Sequence, residues 1–152
     1  MRFRHFLFAL LLLPAACVSA PEPQIVQPKP EQAEPSTLNG YIAHFAAFYD
    51  VPESLVHRVV KRESTYNPKA RNGPYYGLMQ ILPQTARTMG FRGKPSELLD
   101  AKTNLRYGVK YLRGAWLLSD GSHDQAVKWY SRGYYYEAKR RGMLVETGLR
   151  PG

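Results

Sequence analysis

Cysteine is almost absent from this chain of 152 residues: Cys17 stands alone. A single thiol excludes an intrachain disulfide framework and a thiolate metal cluster. The four histidines, His5, His44, His57 and His123, show none of the spacings that place two imidazoles one helical turn apart around a metal. No apolar run reaches the roughly 18 residues that a membrane-crossing helix needs. Acidic side chains are scarce, 12 against 21 Lys and Arg, for a formal charge of +9. Strand signals are weak, and no segment repeats another.

The charge is unevenly placed. Residues 1–36 carry Arg2, Arg4 and Lys29 against Glu22, Glu31 and Glu34, so residues 37–152 hold the whole excess, 18 basic against 9 acidic side chains. Such a domain attracts polyanions, and nucleic acid, anionic lipid and cell-wall polymers would all feel the same field. The basic residues are scattered over several segments, with neither a zinc spacing nor an aromatic-rich strand motif beside them, so nucleic acid is not an expected partner.

Residues 1–20 read as an export signal: Arg2 and Arg4 in front, an apolar run over residues 6–13, then the small Ala15, Ala16, Ser19 and Ala20. Leu13-Pro14-Ala15-Ala16-Cys17 resembles a bacterial lipoprotein cleavage box, with Pro14 where Leu is usual. Two readings stand side by side: Cys17 becomes the lipidated first residue and anchors the protein to a membrane, or an ordinary signal is cut nearby. Either places the mature protein outside the cytoplasm, in the periplasm or on the periplasmic face of the inner or outer membrane. Residues 21–36 follow, with Pro21, Pro23, Pro28, Pro30 and Pro35 among Glu, Gln and Lys and almost nothing to pack. That composition predicts an extended, disordered tether.

Residues 37–152 read as one all-α domain. Leu38, Tyr41, Ile42, Phe45, Phe48 and Tyr49 recur at helical spacing after the caps Ser36 and Thr37, predicting a helix to about residue 50. Pro52 opens a second, which Asn67-Pro68 stops beyond Ser64. Residues 83–89 predict a short helix closed by Gly90. Asp100 caps a long helix with Leu105, Val109, Leu112 and Trp116 as its inner stripe. Ser122 with Gln125 marks the start of another, carrying Ala126, Val127 and Tyr130.

Glu63 stands out within the second helix. At about 100° per residue it falls between Val59 and Val56 on the stripe that Leu55 and Val60 complete. A carboxylate on an inward face is costly unless paired or protonated, and partial desolvation raises its pKa, which suits a general acid near neutrality. A hydrated Glu near a helix end is the plain alternative.

The company of Glu63 decides between them. Glu63-Ser64, then Gly77-Leu78-Met79-Gln80-Ile81 beyond a loop rich in Asn, Gly and Pro, then residues 98–112 with Asn104 and Gly108-Val109-Lys110-Tyr111-Leu112, resemble the lytic transglycosylase family in order and spacing. The likeness covers about residues 38–135. It implies an all-α, lysozyme-like fold of the goose-type kind, acting on peptidoglycan glycan strands with neither metal nor cofactor. It implies that Glu63 protonates the bond between N-acetylmuramic acid and N-acetylglucosamine. Glu63 would then serve as base for the C6 hydroxyl that closes a 1,6-anhydro ring. Ser64, Gly77, Met79 and Gln80 would line the sugar cleft. Tyr130 matches the Tyr of the family's Ala-Tyr-Asn triplet, which sets a phenol beside the catalytic carboxyl; here the triplet is Trp129-Tyr130-Ser131.

That chemistry needs no second carboxylate, unlike the paired-acid glycosidases. Of Asp50, Glu53, Glu97, Asp100, Asp120 and Asp124, the other acids in the matched region, most have helix-start or loop positions that suit capping. A muramidase that uses water, and a non-catalytic wall-binding or assembly module, are the alternatives. Tyr75, Tyr76, Tyr134, Tyr135 and Tyr136 are candidates for stacking on sugars, although three consecutive tyrosines on a helix point three ways.

Overall fold

The computed structural model describes residues 35–152, which belong to one compact unit. The export signal, Cys17 and all but the last two residues of the tether lie outside the described residues. Leu38–Phe48 forms α1, with the Thr37 hydroxyl accepting from the Gly40 amide as its cap. Glu53–Ser64 forms α2, with Pro52 just outside it rather than in its first turn. Pro83–Thr88 forms α3, Ala101–Leu117 α4, and His123–Arg132 α5. Asp100 and Ser122 cap the last two through the amides of Thr103 and Gln125. Each of these helices begins within a residue or two of its sequence signal.

Three elements had no signal of their own. Arg71–Asn72 (β1) pairs antiparallel with Tyr75–Tyr76 (β2), around a turn in which Gly73 takes a positive φ of 56°. Two residues per strand is too short to show an alternating pattern. Pro95–Leu99 is a 3-10 helix and Tyr135–Arg140 a one-and-a-half-turn α6, both below the length at which apolar periodicity is legible.

The core assembles where α1 and α5 meet α4 and α2 packs on α1. Ile42, Leu55, Val56, Val59 and Val60 are fully buried against Leu105, Val109 and Leu112 of α4. Ala115 and Leu118 extend that stripe, whereas Trp116, expected on it, is only partly buried and packs edge-on against His123. A smaller apolar cluster of Ile81, Ala86, Phe91 and Leu98 sits under α3 and the 3-10 helix. Among the described residues no helix is long and apolar enough to cross a membrane.

Two contacts fix the chain between α2 and α3. Gly77 has φ of 68°, and a Cβ there would collide with the Asn104 amide and the Leu98 carbonyl. Gly108 lets Met79 lie directly on α4; a methyl would stand 2.5 Å from its Sδ. Met79 is consequently fully buried, and so is Leu78.

Candidate active site

The end of α2 carries the acid. Leu55, Val56, Val59 and Val60 are sealed, and Glu63, one turn on, emerges where that stripe reaches a cleft, its side chain 23% exposed. The helix stops abruptly there, because Thr65 and Tyr66 both take left-handed φ, 50° and 62°. Gln80 across the cleft is also left-handed, at 46°. For non-glycine residues such backbone costs on the order of 1–3 kcal/mol each and persists only where the surroundings impose it. Of the five such residues among those described, Gln80 lines this cleft, and Thr65 and Tyr66 directly follow the helix that carries Glu63.

The opposite wall is the turn at residues 77–80, and Asn104 on α4 holds it. The buried Asn104 amide accepts from the Met79 N–H at 2.9 Å and donates to the carbonyls of Tyr76 and Leu98 at 2.8 and 2.7 Å. The Tyr130 hydroxyl, from α5, donates to the Met79 carbonyl at 2.7 Å. Gln80 uses Nε2 on the carbonyls of Ala70 and Gly77, at 3.2 and 2.9 Å. With both amide hydrogens committed, its Oε1 is left as an acceptor.

Glu63, Gln80, Tyr130 and Ser131 thus face one cavity of about 370 Å³, together with Arg62, Asn72 and Tyr75. Ser64, Gly77 and Met79 are not brought to its surface. The Ser64 hydroxyl donates back to the Val60 carbonyl at the end of α2. Gly77 and Met79 stand behind the wall, and what Met79 presents to the site is its backbone, bonded to Asn104 and Tyr130. Arg62 and Asn72 carried no sequence signal as site residues. Of the tyrosines, Tyr75 lines the cavity, Tyr134 is core, and Tyr135 and Tyr136 are exposed on α6. In the altered triplet, Ser131 lines the cavity with its hydroxyl on the Lys128 carbonyl. Trp129 packs against the core instead, its buried indole N–H without a hydrogen-bond partner among the described residues.

Burial lifts the Glu63 carboxyl above its ordinary pKa, and the Arg62 guanidinium, with Nε 3.7 Å from Oε1, pulls the other way by less. Tyr130 is pushed well above the usual phenol value, by burial first and then by the Glu63 charge, so its hydroxyl keeps its proton. Glu63 is the single acid among the residues lining this cavity. Seven of the other acids of the domain are engaged elsewhere. Asp50, Glu53, Asp124, Asp120 and Glu137 face Arg113, His57, Arg58 and the Arg140–Arg141 pair. Glu97 and Asp100 accept from backbone amides at helix starts. Among the described residues no group of three His, Cys, Asp or Glu stands where it could hold a metal ion.

The class these features define is a mostly helical domain whose cleft is lined by one half-buried carboxyl, opposite the turn that Asn104 holds. Comparison with known proteins narrows that class. The family model of the transglycosylase SLT domain matches residues 40–141, and the chain belongs to this family. It is 31% identical over 90 residues to the soluble lytic murein transglycosylase of Escherichia coli. That match covers 55% of this chain and 14% of the relative. To the membrane-bound lytic murein transglycosylase E of Buchnera aphidicola it is 42% identical over 82 residues, 49% of this chain and 37% of the relative. The crystal structure of the 70 kDa soluble lytic transglycosylase of Escherichia coli superposes with a TM-score of 0.59 at 26% identity, over 75% of this chain and 19% of that one. The chain therefore spans well under half the length of these relatives.

Proposed function

We propose that the domain cleaves the β-1,4 bond between N-acetylmuramic acid and N-acetylglucosamine in peptidoglycan and leaves a 1,6-anhydromuramyl end. The supporting observation is the lone carboxyl: Glu63 is desolvated at the cleft, with no second acid among the lining residues. Protonated Glu63 gives its proton to the glycosidic oxygen as the bond from the muramyl anomeric carbon breaks, and the N-acetylglucosamine leaves with a free 4-hydroxyl. The resulting carboxylate takes the proton from the muramyl C6 hydroxyl, whose oxygen bonds to the anomeric carbon. Glu63 ends protonated, ready for another turn, and no water is consumed. Gln80 accepts from a sugar hydroxyl, and Tyr75 offers a ring face. Tyr130, held by the Met79 carbonyl, bounds the carboxyl without competing for its proton.

Mass analysis of fragments released from sacculi tests this. Transglycosylation leaves ends lighter by one water than the reducing ends of hydrolysis, so reducing ends would mean a muramidase. Glu63→Gln removes the transferable proton and keeps the shape; general acid–base catalysis contributes about 10²–10⁴-fold. The variant is expected to lose at least that much activity while still binding sacculi. A parent that binds without turnover would instead be a wall-binding module. The reading includes export, with Cys17 as a lipid attachment site: a clickable fatty acid should label the parent and not Cys17→Ala, and an unlabelled parent removes the anchor.

A further inference from the structure

The cleft has two lobes. Beyond the cavity at Glu63 lies a second of about 280 Å³, and Tyr75, Gln80, Tyr130 and Ser131 line both. Each lobe contains a guanidinium: Arg62 beside Glu63 in the first, Arg132 next to Gly133 in the second. The Arg62 side chain is half exposed and Arg132 is exposed at the end of α5. Apart from Glu63, no acid lines either lobe.

Neutral sugar rings need hydroxyl partners and flat apolar surfaces, which Asn72, Gln80, Ser131 and Tyr75 supply. Their recognition does not require a permanent cation, yet each lobe holds one. A guanidinium matches a carboxylate, which it binds with paired, charge-assisted hydrogen bonds. A peptidoglycan strand carries carboxylates only on the O3 substituent of its muramyl residues: on the attached peptide, or on the lactyl ether once the peptide has been removed. Resting on the transglycosylase reading, we propose that Arg62 and Arg132 are specificity residues. They grip O3-linked carboxylates on either side of the scissile bond, so that the cleft selects acid-bearing strands over neutral ones.

Three forms of one strand preparation test the assignment: intact strands, strands stripped of peptide by an amidase, and intact strands whose carboxylates have been amidated with a carbodiimide and ammonia. The parent should show kcat/KM about tenfold higher on intact than on amidated strands, the scale of one hydrogen bond to a charged group. Stripped strands locate the source: rates near the amidated value assign the grip to peptide carboxylates, and rates near the intact value assign it to the lactyl group. Arg132→Gln and Arg62→Gln should each lower the intact-to-amidated ratio several-fold. Arg132→Lys should keep more of the ratio than Arg132→Gln. Lys139→Gln removes the same charge from exposed α6, outside both lobes, and should keep the parental ratio. An equal drop in Lys139→Gln would make the preference a property of net charge and overturn the assignment. Equal parental rates on intact and amidated strands would overturn it while leaving the transglycosylase reading in place. Failure to cut any of the three would overturn that reading and this inference with it.

Discussion

At the scale of single residues, Glu63 is set by two opposed influences. Desolvation favours its neutral form, and the adjacent Arg62 charge favours its carboxylate, with the first the larger. Tyr130, the other titrating group at the carboxyl, stays neutral and adds no charge. In the proposed mechanism the acid must be protonated to act, so activity is expected to be lost as pH rises through its raised pKa. Arg62→Gln removes the influence that lowers that pKa. The descending limb of the kcat profile is therefore expected to move to higher pH, and a shift to lower pH would show that Arg62 does not act on Glu63. Glu63 could be picked out in the sequence because its position among Val56, Val59 and Val60 obeys a short-range period. Arg62 could not, since its neighbour on the wheel says nothing about which side of a cleft it joins.

Among elements, the turn at residues 77–80 depends on α4. Asn104 serves one amide and two carbonyls reaching back as far as Tyr76, and it is fully buried. Asn104→Leu preserves bulk and leaves the Met79 amide and the Leu98 carbonyl without that partner, while the Tyr76 carbonyl keeps the Ile81 amide; each buried orphan costs about 1–3 kcal/mol. We expect a loss of about 3 kcal/mol or more in urea unfolding, with activity falling because the wall opposite Glu63 loosens. A loss below about 1 kcal/mol would mean that water or a neighbour replaces the amide. The helices themselves were legible because caps and apolar stripes are local: Thr37, Asp100 and Ser122 each bond an amide three residues on. The hairpin, the 3-10 helix and α6 were not, because so few residues cannot display a period; α3, equally short, was legible from Pro83 and Gly90. The direction of Met79 was equally hidden. Its side chain lies on Gly108, 29 positions along the chain, and the motif shows only that the two segments follow in order.

Over the whole molecule, residues 37–152, which carry the excess of 18 basic over 9 acidic side chains, lie in the same unit as the cleft. Attraction to acidic wall material is then long-ranged and screenable: the Debye length falls from about 10 Å at 0.1 M salt to about 3 Å at 1 M. Co-sedimentation of the purified protein with sacculi should weaken several-fold across that range. Binding indifferent to salt would place the affinity in hydrogen bonds and ring stacking alone. The sequence by itself determined the helical class, the starts of α1 to α5, the family resemblance and the place of Glu63 on the inward stripe, because periodicity, capping and motif order are carried by residues near one another in the chain. Only the tertiary structure decided that Gln80 faces the acid while Ser64, Gly77 and Met79 support the walls from behind. It also put Arg62 and Arg132 in adjoining lobes of one cleft. Those outcomes depend on which surfaces meet across α2, α4 and α5, and no spacing along the chain encodes that meeting.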